Sequence, residues 1–287
     1  MEHRNHAVLI LTHGRPDRVI TVDTLRKSGY TGRIFIVVDD HDKTLEEYKK
    51  KYGSDVVVFN KKRAGELTDS GDNFGSLRGV VYARNIAFEI AADLGLTHFL
   101  ELDDDYTSFQ YRFDGQFNYN PKTLKNLDGI IEAFYTFLDE TGADCIAMAQ
   151  GGDFIGGDQG QFAHSVSLRR KLMNSFFCRV DRPFKFLGRI NEDTTLYVDG
   201  GVRGKLFFTA NQVNLNQIVT QQNKGGLTEI YLDSGTYVKS FYTVMYQPSC
   251  VKVSTITGQR GTRLHHRVSW EHAVPKIIPE KFKKVTA

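Results

Sequence analysis

The chain has 287 residues, of which 40% are hydrophobic and 25% are charged, and its mean hydropathy is −0.36. These values exclude a short peptide scaffold, a disordered chain and an integral membrane protein, because the longest apolar run covers only residues 7–11 and a bilayer span needs roughly 20 residues. The net charge of +3 is uneven: residues 260–287 carry +5 and the remainder −2, which indicates either a solvated tail or a site for an anion such as a nucleotide diphosphate or DNA.

The first half of the chain alternates apolar runs with segments of helical period. Strands are predicted at residues 7–11, 34–38, 56–59, 98–102 and 145–149. Helices are predicted at residues 16–29, 44–52, 80–94 and 124–138. Residues 60–76 have the Gly and Asp content of a loop. This alternation predicts an α/β fold in which helices cover a sheet.

The second half is more irregular. Residues 151–160 are rich in Gly, and residues 211–223 are rich in Asn and Gln. Amide side chains suit hydrogen bonds to sugar or base edges, although an exposed polar strand is the commoner explanation. No internal repeat or low-complexity linker interrupts the sequence, so we predict one continuous domain.

The N-terminus and the cysteines favour a reducing compartment. The sequence M-E-H-R-N-H has no apolar signal core. Three cysteines, Cys145, Cys178 and Cys250, are too few and too far apart for a disulfide framework or a thiolate zinc site. We therefore expect a cytoplasmic protein.

The segment E-L-D-D-D-Y at residues 101–106 is the strongest candidate site. A buried strand that ends in Asp103, Asp104 and Asp105 brings like charges to the crevice beyond the strand ends. Three carboxylates repel one another unless a cation compensates them, and Mg²⁺ or Mn²⁺ prefers such oxygen ligands. The alternative is an Asp-rich turn. Because the triplet directly follows the strand, we favour a metal that neutralises a departing diphosphate.

Such a metal requires a nucleotide pocket. The C-terminal ends of the first two strands are expected beside the triplet, which places Thr12, Arg15 and Asp39 close together. Asp39 can accept from a base N–H, while Arg15 and Arg84 can meet phosphate or base. No phosphate-binding loop or dinucleotide fingerprint is present, which argues against a P-loop kinase and a nicotinamide enzyme.

These motifs carry a family resemblance. The L-x-D-D-D segment, the preceding Y-A-R-N (82–85) and the later N-E-D (191–193) look like a GT-A glycosyltransferase that uses a sugar nucleotide. The strings G-R-I-N-E-D-T-T-L-Y-V, K-L-F-F-T, Q-P-S-C-V-K-V and R-L-H-H-R-V-S-W resemble the TET-associated glycosyltransferases of phages, which are implied to add sugars to 5-hydroxymethylcytosine in DNA. The likeness covers nearly the whole chain.

The resemblance implies a fold and residue roles. It implies a mostly parallel, Rossmann-like sheet in a single domain over residues 1–287, with a nucleotide-sugar-binding half at 1–120 and an acceptor-binding half at 121–287. Asp103 and Asp105 take the metal role with Asp104 between them, and Arg84 lies on the donor side. The donor is expected to be a UDP-sugar, UDP-glucose or UDP-GlcNAc, and a viral chain is expected in the host cytoplasm.

Glu192 and Asp193 are the candidates for acceptor activation. A carboxylate that takes the proton of an acceptor hydroxyl assists attack on the anomeric carbon, and Asp193 is preferred because it fills the E-D position of the family. The structural alternative is a helix N-terminus at which both acids oppose the dipole.

His265 and His266 lie in R-L-H-H-R-V-S-W. An imidazole can complete a carboxylate-bound metal site, and several GT-A enzymes use a C-terminal histidine in this way. Adjacent residues of a strand face opposite sides, so at most one of the two reaches the metal. We choose His266.

Acceptor binding in DNA needs access to the base, either through the major groove or by flipping the nucleotide. Aromatic side chains that could stack on a base, with core packing as their ordinary role, are Tyr106, Tyr111, Phe113, Tyr231, Tyr237 and Trp270.

The sequence therefore predicts a metal-dependent transfer of a sugar from a nucleotide sugar to 5-hydroxymethylcytosine in phage DNA. One alternative keeps the fold and changes the acceptor to a glycan or a protein. Others are a non-catalytic DNA-binding module and a nucleotidyltransferase.

Overall fold

A ten-stranded sheet runs through the part of the chain that the computed structural model describes, namely residues 4–116, 118–150, 166–167, 174–218, 236–258 and 261–273. The strands are β1 (His6–Leu11), β2 (Arg33–Asp39), β3 (Val56–Phe59), β4 (His98–Asp103), β5 (Tyr106–Phe113), β6 (Tyr119–Thr123), β7 (Cys145–Gln150), β8 (Val166–Ser167), β9 (Ser175–Arg179) and β10 (Phe207–Gln217). Strands β11 (Val251–Gly258) and β12 (Gly261–Val268) form a separate antiparallel hairpin.

The helices are α1 (Ile20–Lys27), α2 (Leu45–Tyr52), α3 (Lys61–Glu66), α4 (Val81–Asp93), α5 (Leu127–Thr141), α6 (Glu192–Val202), α7 (Lys239–Tyr246) and α8 (Trp270–Ala273). Among the described residues, no helix is long and apolar enough to cross a membrane.

The strand order is β3-β2-β1-β4-β9-β7-β10-β5-β6, with β8 also paired to β10. The block β3-β2-β1-β4 is parallel throughout, as are β7 and β10, whereas β9, β5 and β6 pair antiparallel. In the parallel block the C-terminal ends of β1, β2 and β4 meet at one edge. This edge is the predicted location of the site.

Every strand and helix predicted in the first half is present, with its ends shifted by a few residues at most. Residues 60–76 were expected to be a loop, but the structure places helix α3 there, because the Asn60 side chain accepts from the Arg63 N–H (2.7 Å) and caps the helix. The amide-rich residues beyond 211 lie partly in β10, where Asn211 and Asn214 are buried and not exposed to solvent.

Two apolar cores cover the two faces of the sheet. One packs α4 and α6 against β1, β4 and β9, and the other packs α1 and α5 against the opposite face. Neighbouring residues of one strand therefore belong to different cores: Phe176 lies in the first and Phe177 in the second. Strands from both predicted halves share the sheet, and the division into a donor half at 1–120 and an acceptor half at 121–287 stays a prediction.

Candidate active site

The acidic triplet lies where β1 and β4 end side by side. The parallel register pairs Leu11 with Asp103, so Thr12 follows on one strand where Asp104 follows on the other. Thr12 Oγ1 donates to Asp104 Oδ2 over 2.6 Å. The sequence prediction that these strand ends converge is confirmed.

Asp104 is held on both of its oxygens. Its side chain is almost fully buried, and Arg15 Nη2 contacts Oδ1 at 2.9 Å while Thr12 occupies Oδ2. Burial raises the pKa of Asp104, and the charge of Arg15 and the Thr12 hydrogen bond oppose that rise. The predicted donor residues Thr12, Arg15 and Asp104 thus form one connected group, in which Asp104 orients Arg15.

Tyr48 completes this group, although no sequence motif singles it out. Its hydroxyl lies 2.9 Å from Thr12 Oγ1 and accepts from the Arg15 N–H at 2.8 Å. Burial raises the pKa of Tyr48 to about 12, so the phenol stays neutral. The available signal is weak: Tyr48 is the one fully buried side chain of the charged helix α2.

The turn between β4 and β5 is fixed by Thr21 at the start of α1. Its hydroxyl donates to the Asp103 carbonyl (2.8 Å) and accepts from the Tyr106 N–H (2.9 Å), and its own N–H donates to the Asp104 carbonyl (3.2 Å). The backbone of the triplet is therefore held from one side by α1, and the Asp105 carbonyl accepts from the Ile218 N–H (3.2 Å) at the end of β10.

Asp39 ends β2 beside this group and is also paired within the protein. His13 Nδ1 lies 2.6 Å from one carboxylate oxygen and Lys61 Nζ 3.1 Å from the other. Burial alone would raise the pKa of Asp39, but His13 and Lys61 outweigh it and lower the pKa to about 2. Asp39 is thus an ionised acceptor near the strand ends, and a nucleotide base would share it with His13 and Lys61.

Arg84 occupies the centre of a buried carboxylate cluster. Its guanidinium is fully buried and reaches Glu101 at 2.6 Å, Asp103 at 2.9 Å and Glu192 at 3.3 Å. Phe176 lies beneath it, with its ring centroid 4.9 Å from the guanidinium carbon. Arg84 was predicted as a residue that meets phosphate or base. In the structure it faces three carboxylates, and it connects Asp103 at the end of β4 with Glu192 on α6.

One guanidinium facing three carboxylates leaves the cluster with excess negative charge. Burial raises the pKa of Glu101 and of Glu192 to about 7, against the opposing charge of Arg84. Burial, reinforced by Asp103 and Asp104, raises the pKa of Asp105 to about 7 as well. A divalent cation bound at Asp105 would relieve the repulsion among these carboxylates. Their oxygen atoms are the ligands that Mg²⁺ and Mn²⁺ prefer. Within the described residues, however, no three His, Cys, Asp or Glu side chains are grouped as a metal site.

The beginning of α6 carries the predicted acceptor-side acids. Glu192 and Asp193 lie in its first turn, as the structural alternative requires, and Asn191 precedes them in the left-handed conformation with φ 58°. Glu192 is buried against Arg84, whereas Asp193 is only half-buried and its Oδ1 accepts from the Thr194 N–H (2.7 Å). Of the two acids, Asp193 has the more open carboxylate.

His266 lies beside the start of α6. Its Nδ1 is 3.0 Å from the Asn191 side-chain nitrogen, which also donates to the Lys239 carbonyl at 2.8 Å. The ring centroids of His265 and His266 are 4.3 Å apart, so the two imidazoles contact each other, and the expectation that they face opposite sides of the strand is wrong. Contacts through Arg84, Glu192 and Asn191 link Asp103 to His266, and the role of His266 as a metal ligand stays a prediction.

Some of the candidate stacking residues are accounted for by packing. Tyr106 is fully buried and Trp270 packs edge-on against Tyr197, while Tyr237 is exposed. Tyr231 lies outside the described residues. Tyr106 is thus unavailable to a base, because its hydroxyl donates to the Asn174 carbonyl inside the sheet.

A family model described as TET-Associated Glycosyltransferase matches residues 6–226 of this chain. Comparison with curated proteins finds no match. The match begins with β1 and extends past the end of β10, so it includes the strands β1, β2 and β4 whose ends form the site.

Solved structures with similar folds are GT-A glycosyltransferases, which confirms the predicted GT-A-like α/β fold. S. aureus TarS 1-349 in complex with UDP-GlcNAc is 14% identical, with a TM-score of 0.51, and the match covers 85% of this chain and 67% of that one. Glucosyl-3-phosphoglycerate synthase from Mycobacterium tuberculosis, in complex with Mn²⁺, UDP and phosphoglyceric acid, is 11% identical, with a TM-score of 0.46 and coverages of 92% and 87%. Against another S. aureus TarS structure, the match spans 40% of the TarS chain.

Proposed function

Since the chain belongs to the TET-associated glycosyltransferase family and is thus a glycosyltransferase, we propose that it transfers a sugar from a nucleotide sugar to 5-hydroxymethylcytosine in phage DNA. The observation that carries this proposal is the acidic triplet at the ends of β1 and β4, tied through Arg84 to the acidic start of α6. Donor-side and acceptor-side carboxylates thereby belong to one hydrogen-bonded unit.

The donor is a UDP-sugar, with UDP-glucose or UDP-GlcNAc as the first candidates. A structural neighbour that holds UDP-GlcNAc supports this choice. Arg15 is oriented by Asp104 and keeps its buried Nε without a hydrogen-bond partner among the described residues, so it retains a donor for a diphosphate oxygen. Asp39, which stays ionised, accepts from a base N–H.

Asp103 and Asp105 hold the divalent metal, with His266 as a further ligand. When bound, Mg²⁺ or Mn²⁺ acts as a Lewis acid that offsets the charge of the departing diphosphate. Arg84 holds Asp103 in a fixed rotamer through its contact with Oδ1. Thr21 holds the backbone of the triplet so that the carboxylates keep their spacing.

Asp193 takes the proton of the hydroxymethyl group as the new bond to the anomeric carbon forms. Glu192 is a positioning residue, because its carboxylate is buried against Arg84 and holds the first turn of α6 in place. An enzyme that inverts the anomeric centre needs only one carboxylate on the acceptor side to take this proton, and Asp193 is more exposed than Glu192.

The test incubates the protein with Mn²⁺, a panel of UDP-sugars and duplex DNA that contains 5-hydroxymethylcytosine, followed by mass spectrometry of the nucleosides. We expect a mass increase of one hexose or N-acetylhexosamine on the modified nucleoside, none on unmodified cytosine, and none with Asp105→Asn. If consumption of the UDP-sugar does not depend on the DNA but increases when a glycan or a protein is added, the acceptor is not DNA. No product with any donor would reject the proposal.

A further inference from the structure

The hairpin β11–β12 has two chemically different faces. In its register Val251 pairs with Val268 and Val253 with His266, and these residues share one side of the ribbon because side chains alternate along a strand. Val251 is buried and Val268 packs against the α4–α6 core, so this side faces the protein. The opposite side faces outward.

The outward face is cationic. Lys252 pairs with Arg267 and Ile256 pairs with Arg263, and all four of these side chains are exposed. Between residues 251 and 268 the sequence contains four Lys or Arg residues and no Asp or Glu. The body of the protein has a slight excess of acids before residue 260, so this ribbon differs from it in charge.

The same hairpin is connected to the active site. His266 points toward the protein and lies 3.0 Å from the Asn191 side chain, the residue that immediately precedes Glu192 and Asp193. A polyanion bound along the outward face would therefore lie next to the acceptor side of the site.

We propose that the outward face of the β11–β12 hairpin, formed by Lys252, Arg263 and Arg267, binds the phosphate backbone of duplex DNA and holds the acceptor at the start of α6. This inference rests on the proposed function and names the surface that binds its acceptor. A two-stranded ribbon fits the width of the major groove. Arg263 lies four residues from Arg267, roughly 13 Å along the strand, over which one DNA strand presents about four phosphates.

The experiment compares two triple variants of equal charge. The first is Lys252→Gln/Arg263→Gln/Arg267→Gln. The matched control is Lys27→Gln/Lys50→Gln/Lys62→Gln, which removes three exposed cations from α1, α2 and α3. Fluorescence anisotropy measures binding to a labelled duplex at several salt concentrations, and thermal unfolding monitors folding of both variants.

The hairpin variant is expected to bind duplex DNA more weakly, with the slope of log K against log salt smaller in magnitude by about 3, or about 1 for each lost phosphate contact. The control should keep the wild-type slope. Equal slopes for the two variants would overturn the proposal, and so would a wild-type protein that binds an acidic polysaccharide more tightly than duplex DNA.

Activity separates this inference from the proposed function. With the free 5-hydroxymethylated nucleoside as acceptor, the hairpin variant should keep wild-type turnover, while its KM for duplex DNA rises. If the hairpin variant also loses turnover on the free nucleoside, the three cations contribute to the transfer step itself, which contradicts a role limited to DNA binding. If the wild type binds DNA through the hairpin but transfers no sugar to either acceptor, the proposed function fails and the binding surface stands.

Discussion

Arg84 has the most demanding environment of any side chain in the site. It is fully buried, and its three nitrogens each contact a different carboxylate, from β4 and α6. A buried ion pair gains little net stability over an apolar pair, but loss of one partner is costly because the other charges remain buried. The same contacts fix Asp103 of the acidic triplet and Glu192 at the start of α6.

We therefore expect Arg84→Met to lower the free energy of unfolding by about 3–5 kcal/mol. Urea titration followed by circular dichroism measures this loss. The matched control is Arg63→Met, because Arg63 contacts Glu89 at 2.9 Å with both side chains exposed, and such a pair contributes about 0–1 kcal/mol. Equal losses in the two variants would show that the Arg84 cluster is not a buried ionic network.

The beginning of α6 depends on one residue with an unusual backbone conformation. Among the described positions, Asn191 is the only residue other than glycine with a positive φ. Its side chain connects the start of α6 to the Lys239 carbonyl at the start of α7 and to His266 on β12. Three elements thus meet at this position, next to Asp193.

Two substitutions at Asn191 separate the backbone contribution from the side-chain contribution. Asn191→Gly and Asn191→Ala both remove the hydrogen bonds to Lys239 and His266, but only alanine is strained at φ 58°. The alanine variant should be less stable than the glycine variant by about 1–2 kcal/mol in chemical unfolding. Both should lose transferase activity to a similar extent, since each releases His266. Equal stabilities would argue that α6 begins independently of this conformation.

The sheet divides the interior into two cores, and only the one that contains Phe176 packs this phenylalanine against Arg84. Phe176 packs on the guanidinium of Arg84 and on Phe186, whereas the next residue, Phe177, packs on Phe134 and Tyr135 on the opposite face. Both phenylalanines are fully buried. Their positions allow a comparison of equal volume changes on the two faces.

Phe176→Ala and Phe177→Ala should each lower the free energy of unfolding by about 3–5 kcal/mol. Under conditions in which both variants are folded, kcat should fall more in Phe176→Ala, because Arg84 loses the ring that supports it. Steady-state kinetics with Mn²⁺ and UDP-sugar, corrected for the folded fraction, measure the difference. A larger fall of kcat in Phe177→Ala would contradict this expectation, because it would mean that the core on the α5 side holds the active-site residues in place.

The local pattern of the chain was sufficient for five strands of the sheet, for the helices α1, α2, α4 and α5, and for the strand-end location of the site. Alternating apolar runs determine which segments form β1, β2 and β4, and parallel strands necessarily bring their C-terminal ends together. Thr12 and Arg15 could therefore be placed beside the acidic triplet from the sequence alone, and both contact Asp104. Helix α3 was missed because a single capping side chain, Asn60, outweighs the loop composition of its neighbours.

Partners that come from distant parts of the chain could not be foreseen. Nothing local in the sequence places Glu192 against Arg84, Lys61 against Asp39 or Tyr48 against Thr12, because these contacts join residues 22 to 108 positions apart through packing of whole helices on the sheet. Periodicity reports which face of an element is apolar, whereas the meeting of two polar side chains depends on how those faces dock. The motif suggested that Arg84 binds the donor; the folded chain surrounds it with carboxylates.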